Sequence, residues 1–325
     1  MIGLLAVWVG WLQEPRYEGK KLSEWLDLLP KGSYPLQDGD KVARIHDAIR
    51  QIAAKGLPFL VKWLQGEDGP RRDAARDGLS ILGPQAAPAL PALNCLIHDW
   101  RSHAGWTNAV DVLRFMGPAG ASTLMATLTN RDYPIAVRYR AAESIPYLYD
   151  MLTNGSPLVP ALAVCLQETQ ESLAVSAART LCFYRFETRS AIAVLLRSVQ
   201  STNPAVALEA VSALDSAKFQ PDNAVATLVE ALQHTDSQVA SRAAEVLAKF
   251  QAHPELSVPA LVRSLEDHRP AVRCAAARAL GCFDEAANPA IPALVKAQAD
   301  PDTGVRYEAT NALSNNTCVR CAKVD

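Results

Sequence analysis

A chain of 325 residues that is 49% apolar and 20% charged carries enough apolar surface to offset the entropy of folding, so it is ordered and not disordered. Its 32 Lys and Arg stand against 34 Asp and Glu, a formal charge of -2, so no global positive excess exists to neutralise phosphates and nucleic acid is disfavoured as a partner. Seven cysteines, an odd number scattered mostly through helical patterns, do not read as a disulfide framework; most are expected to be small core residues.

The chain opens with "MIGLLAVWVGWLQEPRYEGK", in which twelve apolar or glycine positions precede Gln13. That is short of the roughly 20 residues that span a bilayer, and a basic leader and a small-residue cleavage site are both missing. A truncated export signal, a membrane-surface anchor and a hydrophobic cap on the first repeat are the three readings. The first is preferred, because two tryptophans and a run of aliphatics followed by polar "QEPRYEGK" read as lying outside the fold. Residues 1–20 are therefore taken as a hydrophobic segment and linker, with any membrane contact confined to residues 1–12. The compartment stays open between cytoplasm and export.

From residue 21 to 316 the sequence repeats itself. After one helix in "KKLSEWLDLL", leucines recur at 33-residue intervals through Leu60 and Leu93, and again through Leu162, Leu195, Leu228, Leu261 and Leu294. A second series keeps the same interval through Leu181, Leu214, Leu247, Leu280 and Leu313. Between Leu93 and Leu162 the beat passes through Leu124 and loosens, which places insertions near residues 98–105 and 149–156. Each unit reads as helix, turn, helix, link, with about eight pairs between Val42 and Asn315. Pro58, Pro91, Pro160, Pro259 and Pro292 are expected to mark the starts of first helices, where the missing N–H has no partner to lose. In the second helix, Val272, Ala276, Ala279 and Leu280 form a stripe at helical spacing. A lone pair with one stripe per helix cannot bury both, so it stacks on copies of itself, and alanine lets successive layers approach closely. Residues 317–325 form a tail in which Cys318 and Cys321 have the spacing of half a zinc site or a redox pair, with no second pair to complete it.

The stretch "PALVRSLEDHRPAVRCAAARALG" resembles the short HEAT-like repeat, also called the phycobilin-lyase-type HEAT repeat, and the likeness covers most of the chain after about residue 42. Ankyrin repeats share the period but not the "TPLH" signature, and TPR units need a Trp, Gly and Tyr pattern that is absent. The resemblance implies an all-α, right-handed solenoid of about eight to nine antiparallel helix pairs whose second helices line a concave face. It also implies a layer-to-layer ladder of a turn acid and a helix arginine. The acidic position reads Asp132, Glu168, Ser201, His234, Asp267 and Asp300, and the basic one Arg138, Ala174, Ala207, Ala240, Arg273 and Arg306. The ladder thus looks broken in the middle, where apolar stacking is expected to hold the units. The opening "RYEGKKLSEWLDLL" with "AIRQIAAKGLPFLVKWL" looks like the entry segment of exported bacterial HEAT-repeat proteins, which bears on localisation alone.

With the stripe committed to packing, the second-helix positions two, three and six places after its first residue are expected to be open. They are Tyr139, Arg140 and Glu143; Val175, Ser176 and Arg179; Leu208, Glu209 and Ser212; Ser241, Arg242 and Glu245; Cys274, Ala275 and Arg278; Tyr307, Glu308 and Asn311. The candidate partner-contacting set drawn from them is Tyr139, Arg140, Glu143, Arg179, Glu209, Arg242, Glu245, Arg278, Tyr307 and Glu308. A row mixing Tyr, Arg and Glu suits a protein or peptide partner.

No phosphate-binding Gly-rich loop, "HExxH" or "GxSxG" occurs, and no catalytic, cofactor or metal site is expected. His98 and His103 flank "DWRS" without a third ligand. Deoxyhypusine hydroxylase resembles such a fold but holds iron through repeated His-Glu dipeptides, which are absent here. A non-catalytic scaffold is the preferred reading. A lyase-like or chaperone-like protein for a tetrapyrrole-carrying partner is the first alternative. A nucleic-acid-binding protein, with Trp100 and Trp106 near Arg101, is the second.

Overall fold

The computed structural model describes residues 13–29, 39–101, 105–148, 158–184, 188–216 and 222–321, which hold seventeen α-helices. They fall into two compact units, Met1–Val164 and Cys165–Asp325. The expected insertion near 149–156 and the segment 1–12 lie outside the described residues.

The first unit opens on a small antiparallel hairpin, β1 (Arg16–Tyr17) and β2 (Lys20–Lys21), turned by Glu18 and Gly19 at positive φ. Expected to be linker, this stretch is instead fastened to the first helix: Trp25 Nε1 donates to the Tyr17 carbonyl at 3.1 Å, and Leu22 N to the Pro15 carbonyl at 3.0 Å. Then follow α1 (Leu22–Asp27), α2 (Gly39–Gln65), α3 (Gly69–Leu82), a 3₁₀ turn (Gly83–Ala89), α4 (Leu90–His98), α5 (Trp106–Leu113), α6 (Gly117–Thr129), α7 (Ile135–Ser144), a 3₁₀ turn (Ile145–Tyr147) and α8 (Leu158–Cys165), which runs into the unit boundary. The second unit continues with α9 (Glu171–Phe183), α10 (Thr188–Ser198), α11 (Pro204–Ser216), α12 (Asp222–Ala231), α13 (Ser237–Phe250), α14 (Pro254–Ser264), α15 (Pro270–Leu280), a 3₁₀ turn (Asp284–Ala290), α16 (Ile291–Ala297) and α17 (Thr303–Cys321).

The 33-residue leucines form the core. From Leu60 through Leu294 in the first series, and from Leu181 through Leu280 in the second, each is at most 1% exposed, and each such burial stabilises by about 2 kcal/mol. Leu313, in the last pair, is half-buried. Turn acids start the second helices: Asp68 accepts from Arg71 N, Asp236 from Gln238 N and Val239 N, and Asp302 from Gly304 N and Val305 N.

Pro91 and Pro292 stand second in α4 and α16, and Pro160 lies in the first turn of α8, as expected. Pro58 and Pro259 do not start helices. Pro58 lies inside the 27-residue α2, and Pro259 inside α14, which begins at Pro254. An interior proline forfeits one backbone hydrogen bond. Burial of Leu60 and Leu64 after Pro58, and of Val258 and Leu261 around Pro259, offsets the loss.

The ladder is intact at the end of the chain and changes chemistry before it. Arg273 binds both carboxylate oxygens of Asp300 at 2.8 Å and donates to the carbonyls of Asp267 and His268. Arg306 donates likewise to the carbonyls of Asp300 and Pro301. One repeat earlier position 240 is alanine, and Arg269 reaches back from the next turn to the carbonyls of His234 and Thr235 at 2.7 and 2.8 Å. Earlier still, His234 Nε2 meets the Ser201 carbonyl at 3.2 Å. Asp236 N–H donates to His234 Nδ1, which leaves Nε2 as the ring nitrogen facing that carbonyl. Ser201 Oγ in turn donates to Glu171. The middle rungs that looked missing are therefore hydrogen bonds of another kind, added to the apolar stacking. They exist because the carbonyls of the turn after each first helix need donors whatever residue supplies them.

Candidate partner-binding surface

In the second unit α9, α11, α13, α15 and α17 lie against one another in that order. α11, α13 and α15 therefore each have a neighbour on both flanks as well as their own first helix, and only a narrow arc of each stays open. This corrects three of the positions expected to be open: Val175, Ser176 and Ala275 are buried against adjoining helices. Tyr139, Arg140, Glu143, Arg179, Glu209, Arg242, Glu245 and Glu308 are half-buried, whereas Arg278 and Tyr307 are exposed, Tyr307 at 66%.

The charged members are paired with each other across layers. Arg179 meets Glu209 at 3.2 Å. From α11 to α17 a continuous chain runs through Asp215, Arg242, Glu245, Arg278 and Glu308, with contacts of 2.6, 3.0, 3.6 and 3.0 Å, and Lys249 adds a second contact to Asp215 at 2.6 Å. In the first unit Arg140 grips both oxygens of Asp111 at 2.7 and 2.6 Å and reaches Glu143 at 3.5 Å. Hydrogen bonding to Asp111 raises the Arg140 pKa, and hydrogen bonding to Glu308 raises that of Arg278. Asp111 and Asp215 were missed in the sequence, because neither sits at a repeated offset from the stripe.

Elsewhere the chemistry is sparse. His98 packs edge-on against Tyr133 with ring centres 5.7 Å apart, beside a groove of about 450 Å³ lined by Asn94, Cys95, Ser122 and Thr123. Burial raises the Tyr133 pKa. His103 lies outside the described residues, as do the side chains of Cys318 and Cys321, whose backbone closes α17. Among the described residues no three His, Cys, Asp or Glu side chains gather as a metal site, and no helix is long and apolar enough to cross a membrane. Cys165 and Cys182 are buried core thiols, and burial pushes the Cys182 thiol up to about 11.

The family model for HEAT repeats matches residues 158–248 and 225–314. Residues 158–314 are HEAT repeats. The match is to HEAT repeats at large and gives no support to the phycobilin-lyase-type subclass. No curated protein matches the chain by sequence. Among solved structures, the chain is similar in fold to the Escherichia coli protein YibA, with 15% identity over 89% of this chain and 99% of that one and a TM-score of 0.58. It is also similar to Kap95p, from a study of Kap95p binding to RanGDP, with 16% identity over 86% of this chain and 42% of that one and a TM-score of 0.59. Kap121p bound to Pho4p gives 14% identity, 91% and 37% coverage and a TM-score of 0.53. Identities this low establish the all-α HEAT solenoid fold and nothing finer.

Proposed function

We propose that the chain is a non-catalytic scaffold that binds a protein or peptide partner along its row of second helices. The observation that supports this reading is the serial contact of α9, α11, α13, α15 and α17, beside which Arg179, Glu209, Arg242, Glu245 and Arg278 stay at least partly open and Tyr307 is exposed. Fixing Arg242 and Arg278 between carboxylates removes much of the side-chain entropy that binding would otherwise cost. Pairing also leaves little unbalanced positive charge for nucleic acid, in keeping with the formal charge of -2. Kap121p, similar in fold, holds a protein partner, which supports the reading by analogy alone.

A photo-cross-linking amino acid placed at Arg278, at Tyr307 or, on the first helix α16, at Val295 tests it in the intact cell. Discrete adducts are expected from positions 278 and 307 and not from the exposed first-helix position 295. Equal yields at all three positions, or an adduct from Val295 alone, would put the binding surface elsewhere.

A further inference from the structure

Arg114, Phe115 and Tyr147 form a group in the first unit that owes nothing to the row of second helices. Arg114 directly follows α5, and Tyr147 closes the 3₁₀ turn after α7, so the same corner of two consecutive repeats supplies all three. The corner is tightly built. Gly117 turns the chain at φ +62°, and a Cβ on Gly120 would lie 2.0 Å from the Leu113 carbonyl oxygen, so α6 folds back closely on α5. Arg114 and Phe115 stand at the outside of this bend.

The Arg114 guanidinium carbon lies 4.8 Å from the Phe115 ring centre and 4.3 Å from that of Tyr147. Both rings face water, at 40% and 65% exposure, and exposed Pro84 of the preceding repeat adjoins Gly117 and extends the apolar strip. Arg140, Arg179, Arg242 and Arg278 each face a carboxylate, but Arg114 has none among the described residues. Its Nε is shut off from water with no hydrogen-bond acceptor, an arrangement that leaves a charged donor unsatisfied. Stacking on two rings orients the guanidinium plane while its terminal N–H groups remain able to take a planar anion in bidentate fashion. One cation in a chain of net charge -2 suits a single carboxylate, whereas a nucleic-acid backbone would need several.

We propose that Arg114, Phe115 and Tyr147 dock an extended acidic peptide segment of a partner protein. Arg114 takes one Asp or Glu carboxylate, and the two rings cover apolar side chains on either side of it.

The probe is a displayed library of random dodecapeptides selected on the full chain. Enriched peptides are expected to share an Asp or Glu next to apolar or aromatic residues. A synthetic peptide of that consensus should bind, by fluorescence polarisation, about tenfold or more weakly to the Arg114→Gln and Tyr147→Ser variants. Tyr147→Phe, which keeps the ring, and Val295→Ser should leave its affinity unchanged, the second because the exposed Val295 of α16 lies outside the group. Melting followed by circular dichroism confirms that the variants are folded. The proposal is overturned by enrichment without an acidic residue, by no enrichment at all, or by binding indifferent to both Arg114→Gln and Tyr147→Ser. Arg114-dependent binding of a single-stranded oligothymidine would assign the site to nucleic acid. Binding that emerges only in the Asp150→Asn variant would assign it to the chain's own segment after Tyr147. Either outcome also defeats the peptide partner.

Discussion

Position 240 is alanine where 273 and 306 are arginine, and Arg269 supplies from the following turn the donors that those arginines supply within their own repeats. Arg269 also holds both oxygens of Asp267, at 2.9 and 2.7 Å, with both side chains more than four-fifths buried. Arg269→Ala would strand two carbonyls and a largely buried carboxylate at once, and is expected to cost about 3 kcal/mol in urea denaturation. Adding Ala240→Arg should recover most of that loss, since Arg273 shows that an arginine at the same position one repeat later reaches the equivalent turn carbonyls and the next turn's acid. If the double variant is no more stable than Arg269→Ala, the two arginines are not equivalent donors. The pair also sets a pH dependence. Hydrogen bonding from Arg269 lowers the Asp267 pKa from 3.8 to about 2. A depressed carboxylate stabilises the fold above its unfolded pKa, so the contribution, on the order of 2 kcal/mol, is complete above about pH 4 and fades as the pH falls through 2. Wild type and Asp267→Asn should therefore differ in stability at pH 6 and converge below pH 2. A gap that stays constant over this range would show that charge plays no part.

The corner from α5 to α6 is tightly constrained, because a Cβ at Gly120 would meet backbone and not a movable side chain. Gly120→Ala must push α6 away from α5, at a cost of about 1–3 kcal/mol by thermal melting. Gly39→Ala, at the start of α2 with nothing within 4 Å of the added carbon, should leave the melting temperature within about a degree. Equal melting temperatures for the two variants would show that the corner relaxes freely. These two glycines look alike in the sequence, and the contrast marks what could be read there. The leucines at 33-residue spacing were legible because each must be buried in every repeat, and Pro91 and Pro292 because a helix start needs no donor. Pro58 and Pro259 misled, since whether a proline can sit inside a helix depends on packing around it that no local pattern records. Ala275 misled for a related reason: α15 has a second helix on both flanks, and the width of its open arc follows from how close those neighbours come, while Val175 and Ser176 at the end of the row are buried as well. Asp111 and Asp215, 29 and 27 residues before the arginines they hold, lie off the repeated positions and had no signal to give. Arg114, Phe115 and Tyr147 were passed over because only the stacking of two corners brings them together.

Across the second unit, two kinds of contact join one layer to the next, and their sizes decide how a local defect spreads. The chain of ion pairs from Asp215 to Glu308 crosses every layer from α11 to α17, but most of its cations are a quarter to a half exposed, so each pair contributes roughly 0–1 kcal/mol and weakens further in salt. Apolar contacts contribute about 2 kcal/mol for each fully buried leucine, and Leu214, Leu247 and Leu280 repeat that gain layer after layer. Apolar stacking therefore dominates, and it reaches only as far as the adjoining layer. Ala276→Leu puts this to the test, because Ala276 is fully buried in α15 and a larger side chain there must part α15 from its neighbours. Hydrogen exchange should lose protection most in α15, less in α13 and α17, and least in α9, while α3 to α7 of the first unit keep theirs. Raising the salt from 0.05 to 0.5 M should change this gradient little, as expected if the ion pairs are the lesser term. Loss of protection spread evenly from α9 to α17 would instead mean that the second unit opens as one cooperative block, with coupling beyond neighbouring layers that these contacts do not supply.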